Sequence, residues 1–153
     1  MCQIFLSPNV VMSDTINDLV ERDGLMYKKF TEVPITGKIT GKYQGSFKTG
    51  KRVGSWFKYY ENNQVEFKGD YKNGKQEGFW IWYYKNGQLR RKGNYKNDKP
   101  EGDWVFYHDN GQILFKGNCK NGKRDSAWVS YKSDGTVGKN FTGTYKNGKK
   151  ISN

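Results

Sequence analysis

The chain offers few side chains with which to do covalent chemistry. Its one histidine, His108, stands 24 residues after Tyr84 and 48 after Tyr60, so it occupies a repeat column rather than an isolated position. With no second histidine, neither a Ser-His-Asp nor a Cys-His arrangement can be assembled. Cys119 falls in the column of Tyr71, Tyr95 and Tyr145 and reads as a packing residue. The other cysteine, Cys2, is far away, so the pair makes neither a disulfide framework nor a metal-ligand spacing. Glu101 and Asp103 alternate along a strand as an acid–base pair would, but their repeat counterparts, Glu77 and Phe79, break the pairing, which favours a structural role. The glycines fall at turn positions and form no phosphate-cradling loop. No catalytic residue, metal site, cofactor or small-molecule substrate is therefore expected. What recurs is cationic: the Lys-Asn-Gly-Lys turn places Lys72/Lys75, Lys96/Lys99, Lys120/Lys123 and Lys146/Lys149 as a candidate row for an anionic ligand.

That row belongs to a polycation. The 153 residues carry a net charge of +12, split into −2 over residues 1–36 and +14 over residues 37–153. Phospholipid headgroups, nucleic acids and acidic proteins are the natural partners of such a segment. The same lysines would also keep exposed sheet edges soluble and unpaired. Aromatic residues make up 16% of the chain, which argues for a folded domain rather than disorder. No stretch approaches the ~18 apolar residues of a membrane-spanning helix. The opening Met1-Cys-Gln-Ile-Phe-Leu-Ser-Pro lacks a basic start and a long enough apolar run to be an export signal. A cytoplasmic or membrane-peripheral location is expected, or export if the true start lies upstream.

The elements that position the lysines follow from a 24-residue period. Trp56, Trp80, Trp104 and Trp128 keep that spacing, as do Tyr59, Tyr83, Tyr107 and Tyr131, and Gly45, Gly69, Gly93 and Gly117. The last unit slips by two residues, to Gly143 and Lys149. Asn73-Gly74, Asn86-Gly87, Asn110-Gly111, Asn121-Gly122 and Asn147-Gly148, with Asn97-Asp98 and Asp134-Gly135, supply the positive φ pair of type I′ turns. The aromatic runs between them are too short for helices and read as strands. The expected fold is all-β: an elongated, single-layer antiparallel meander of about ten strands, built from stacked hairpin repeats over residues 45–153. Residues 23–44 read as a degenerate first repeat that caps the sheet. Residues 1–22 lie outside the pattern, and Ser13 to Arg22 reads as a short helix capped by Ser13 or Asp14.

Strand alternation divides the aromatics between two faces. Phe57/Tyr59, Ile81/Tyr83, Val105/Tyr107 and Val129/Tyr131 keep their character in every unit, so this face is expected to be the continuous packed surface. The face of Trp80, Trp82 and Tyr84 degrades to Ser130 and Lys132 and reads as mixed. Trp56, Trp80, Trp82, Trp104 and Trp128, with Tyr59, Tyr83, Tyr107 and Tyr131, are thus candidate surface or packing columns. Gly54, Gly78 and Gly102 suit tight corners, with Ser126 in place of the fourth.

The unit from Gly69 through Tyr-Lys-Asn-Gly-Lys-Gln-Glu-Gly-Phe-Trp to Asn86-Gly-Gln-Leu89 resembles the MORN-repeat family, and especially its bacterial variant. The resemblance covers about residues 37–150, with departures at Asn63, Asp98, Cys119 and Ser126. It implies stacked hairpins, protein scaffolding and phospholipid contact, and many bacterial members of the variant carry an antitoxin assignment in toxin–antitoxin systems. A non-catalytic scaffold holding a protein partner is the leading expectation. Attachment to anionic lipid through the lysine row is the second. Single-stranded nucleic acid is third, because packing the hairpins leaves few rings free to stack bases. An aromatic surface for a sugar chain or wall polymer remains a further option.

Overall fold

The computed structural model describes residues 14–152. Eleven strands form one open sheet: β3 (Gly37–Ile39), β4 (Tyr43–Lys48), β5 (Lys51–Tyr59), β6 (Val65–Lys72), β7 (Lys75–Tyr83), β8 (Leu89–Lys96), β9 (Lys99–Tyr107), β10 (Ile113–Lys120), β11 (Lys123–Tyr131), β12 (Val137–Lys146) and β13 (Lys149–Ser152). Their order in space is their order in the chain, and each is antiparallel to the next. Before them, β1 (Leu19–Arg22) and β2 (Leu25–Lys28) make a separate hairpin.

Two kinds of turn join the strands. At one end the connections are two residues long, and both residues take positive φ, as in Asn73 (52°) and Gly74 (83°). These are the type I′ turns that the sequence leads one to expect. At the other end, from β5 onward, the connections take five residues, as over 84–88. There only the glycine is left-handed: Gly87 has φ 86°, while Asn86 does not take positive φ. Asn86-Gly87, Asn110-Gly111 and Asp134-Gly135 are therefore not type I′ pairs. The asparagine instead folds its side chain back, Asn86 Oδ1 accepting from the Gln88 N–H at 3.0 Å.

The core sits on the face opposite to the one expected. Trp56 and Trp80 are 1% exposed, and Trp82, Trp104 and Trp128 no more than 7%. The Phe57/Tyr59 and Ile81/Tyr83 set is only half-buried. The reason is a ladder that alternates large and small across the strands. Trp56 pairs with Gly69, Trp80 with Gly93, Trp104 with Gly117 and Trp128 with Gly143. Each indole lies flat over the glycine of the preceding strand, so a Cβ at Gly69 would fall within the Trp80 ring. The register shifts at these glycines, and at Gly69 and Gly117 the carbonyl beyond accepts the indole N–H: Trp80 Nε1 donates to Asp70 O at 3.2 Å and Trp128 Nε1 to Asn118 O at 2.8 Å. Ring contacts then run unbroken from Phe47 through Trp56, Tyr71, Trp80, Trp82, Trp104, Phe106 and Phe115 to Trp128. Edge-to-face and offset pairs of this kind contribute about 0.5–1.5 kcal/mol each beyond burial.

Residues 14–36 close the first edge of the sheet. Thr15 bridges to Thr40, and the Thr40 N–H donates to Asp14 O at 2.9 Å. Leu19, Ile35, Ile39, Phe47 and Trp56 form the apolar cluster beneath. The expected helix is absent from the described part of its span. Ile16–Asp18 is a single 3-10 turn, fixed by Asp18 accepting from the Thr15 N–H and hydroxyl at 2.8 and 2.7 Å. Leu19–Arg22 is strand, because the Asp23-Gly24 turn folds it against Leu25–Lys28. Ser13 lies outside the described residues.

Candidate interaction surface

The tight turns put like charges face to face. Lys72 pairs across the hairpin with Lys75, Lys96 with Lys99, Lys120 with Lys123 and Lys146 with Lys149. A fifth pair, Lys48 with Lys51, belongs to the same row; Lys48-Thr49-Gly50-Lys51 repeats the turn signal with threonine for asparagine. All ten lysines are exposed, and none joins the ion pairs found among the described residues. Nearby carboxylates are engaged by backbone instead. Glu77 accepts from the Asn97 N–H at 3.0 Å, Glu101 from the Asn121 N–H at 2.8 Å, and Asp98 from the Gln76 N–H at 2.7 Å. Asp103 accepts from Asn118 Nδ2 at 3.1 Å, so the Glu101/Asp103 pair has two separate structural partners. Adjacent tips are tied together, as by the Gly122 N–H donating to Pro100 O at 2.9 Å.

Arg52 and Arg124, each next to a tip in sequence, lie off this row. Their guanidinium groups turn onto the aromatic face, Arg52 sitting 5.0 Å from the Trp56 ring centre and Arg124 4.7 Å from that of Trp128. Arg91 lies 4.0 Å from the Trp82 ring centre, and burial lowers its pKa from the ordinary arginine value. Burial likewise raises the pKa of Tyr95 and pushes the Cys119 thiol up to about 11. Cys119 is buried within the aromatic cluster, where a neutral thiol is a small apolar group.

The opposite face carries a different ladder. Phe57, Lys68, Ile81, Lys92, Val105, Lys116 and Val129 follow one another as cross-strand partners from β5 to β11. Every rung is large, so no ring can lie down on its neighbour, and the row stays partly open to solvent. Tyr59, Tyr83, Tyr107 and Tyr131 flank it, half-buried, at the strand ends away from the lysine tips. At that end the repeats are stitched by side chains: Tyr60 OH donates to Tyr83 O at 2.8 Å and Tyr84 OH to Tyr107 O at 2.7 Å. His108 Nε2 meets Tyr131 O at 3.0 Å, making the same link from the same column.

No curated protein sequence matches the chain. Residues 52–73, 76–97 and 100–121, three consecutive units of the stacked-hairpin sheet described above, match the MORN repeat variant.

Proposed function

We propose that this protein is a non-catalytic repeat scaffold that holds a protein partner along the open face of its sheet. The observation that carries this reading is the half-exposed ladder of Phe57, Ile81, Val105 and Val129, flanked by four tyrosines and interleaved with lysines. Apolar and tyrosine side chains left accessible over several repeats are the usual anchors of an extended interface. The association of MORN repeats with protein and membrane binding supports it. A toxin partner, as the resemblance implies, is one protein such a scaffold would hold. The test is affinity recovery from native lysate with wild type and Tyr83→Ala/Tyr107→Ala in parallel. A saturable partner lost from the double variant, with thermal stability retained, supports the reading; no saturable partner for the wild type overturns it.

A second reading, peripheral attachment to anionic lipid, is favoured by the unpaired lysine tips. Flotation with anionic and neutral vesicles at low and high salt tests it. Binding confined to anionic vesicles and abolished in Lys75→Glu/Lys99→Glu/Lys123→Glu supports it, and unchanged binding by that variant excludes it.

A further inference from the structure

We infer that the lysine tips form one continuous track for an extended acidic protein segment; the inference rests on the scaffold reading and names a chemistry for its partner. Like charges placed directly opposite across a hairpin are destabilising, and this sheet repeats the arrangement at five successive tips. The nearby carboxylates Glu77, Glu101 and Asp98 accept backbone N–H groups, and none forms an ion pair with the track lysines among the described residues. Successive tips are two strands apart, about 9.5 Å, which is the reach of about three residues of extended chain. An acidic residue at every third position, or an unbroken Asp/Glu run, would meet each tip in turn.

The geometry disfavours the other polyanions. Strands in a sheet rotate by roughly 20° from one to the next. Eight steps separate the first tip from the fifth, and at that rotation the tips would wind about half a turn around the sheet axis. A flat bilayer would meet two or three of them at once, whereas a flexible chain can follow them all. A nucleic acid strand would follow too, but its bases need rings beside the track. The tryptophans are buried, and the Tyr71 and Tyr95 rings next to Lys72 and Lys96 are half-buried edge-on against Trp80 and Trp104. The row of Tyr59, Tyr83, Tyr107 and Tyr131 lies at the far strand ends, eight residues or about 26 Å from the lysines, as Lys75 and Tyr83 are in β7.

The test compares two variants with the same change in net charge: Lys72→Glu/Lys96→Glu/Lys120→Glu on the track, and Lys68→Glu/Lys92→Glu/Lys116→Glu on the open face. Each track substitution sets a glutamate opposite a lysine, so that variant should unfold at or above the wild-type temperature. The probes are polyglutamate of about 20 residues, a 20-nucleotide thymidine strand and phosphatidylserine-containing vesicles, at about 150 mM salt, where steering by distant charge is screened. Saturable polyglutamate binding, weakened at least about tenfold by the track variant and less than about threefold by the face variant, is the expected result. Equal losses in both variants would make it an effect of net charge and overturn the inference. So would no saturable polyglutamate binding, or tighter binding to vesicles or to the thymidine strand. A lysate partner still recovered by the track variant would leave the scaffold reading standing while removing this one.

Discussion

Both faces of this sheet carry aromatic or aliphatic side chains in every repeat, yet one is closed and the other is not. On the closed face the cross-strand ladder alternates tryptophan and glycine, Trp56 with Gly69, Trp80 with Gly93, Trp104 with Gly117. On the open face it alternates phenylalanine, isoleucine or valine with lysine. A single-layer sheet has no second layer to cover its side chains, so burial must come from rings laid along the layer itself. Glycine provides the floor on which the indole lies; lysine fills that floor and props its neighbours upright. The closed face is also the richer in rings, with Phe67, Tyr71, Tyr95, Phe106 and Phe115 beside the tryptophans, but ring content alone does not bury an indole in a single layer. The pairing of a very large residue with a very small one does.

The largest expected consequence follows from deleting a ring on each face. Trp80→Ala should cost about 3–5 kcal/mol, the range for a buried aromatic, while Ile81→Ala on the open face should cost roughly 1 kcal/mol. Denaturant unfolding of the two variants reads the difference, and equal costs would erase the distinction between the faces. Next comes the floor. Gly69→Ala places a methyl where the Trp80 ring lies and should cost about 1–3 kcal/mol, with a perturbed near-ultraviolet dichroism.

The closed face also has a pH signature. The Cys119 thiol titrates at about 11 in the folded protein, against an ordinary value near 9, so the unfolded chain gives up this proton first as pH rises. The contribution is present below pH ~9 and is lost as pH climbs towards about 11. Cys119→Ala should flatten that part of the stability profile; alkylation of the native thiol should be slow at neutral pH. Smaller still is the corner at Ser126, which takes φ 60° where Gly54, Gly78 and Gly102 take 64–70°. Ser126→Gly should stabilise by about 1 kcal/mol in thermal unfolding. At the strand ends, His108→Tyr restores the residue used in the neighbouring repeats and should be neutral within about 0.5 kcal/mol, whereas His108→Phe loses a hydrogen bond of about 1 kcal/mol.

Much of this architecture is legible in the chain before any coordinates. The 24-residue period, the hairpins and the placement of the lysines at the tight turns all come from local rules: turn chemistry, short aromatic runs and alternation. The choice of face does not, because alternation separates two sets of side chains without saying which is covered. A signal was present in the constant eleven-residue interval from each column glycine to the next tryptophan, as from Gly69 to Trp80. It takes meaning only once the hairpin folds back and brings the two together. The segment around Ile16, Leu19 and Val20 has helical spacing, but it is too short to hold a helix against a neighbouring strand with a well-formed Asp23-Gly24 turn between them. Lys51 keeps the 24-residue spacing of Lys75, Lys99 and Lys123, whereas its partner Lys48 is obscured by the threonine in the turn between them. Arg52 and Arg124 sit next to the row in sequence, but their planar cations find a better place on the indoles.

The closure of the tryptophan face is tested most directly by acrylamide quenching of intrinsic fluorescence. All five tryptophans of the chain lie on that face, and all are at most 7% exposed. A blue-shifted native emission, quenched several-fold less steeply than that of the unfolded chain, is the result this structure predicts. A native quenching slope as steep as the unfolded one would contradict it, and would return the packed surface to the face of Ile81 and Tyr83.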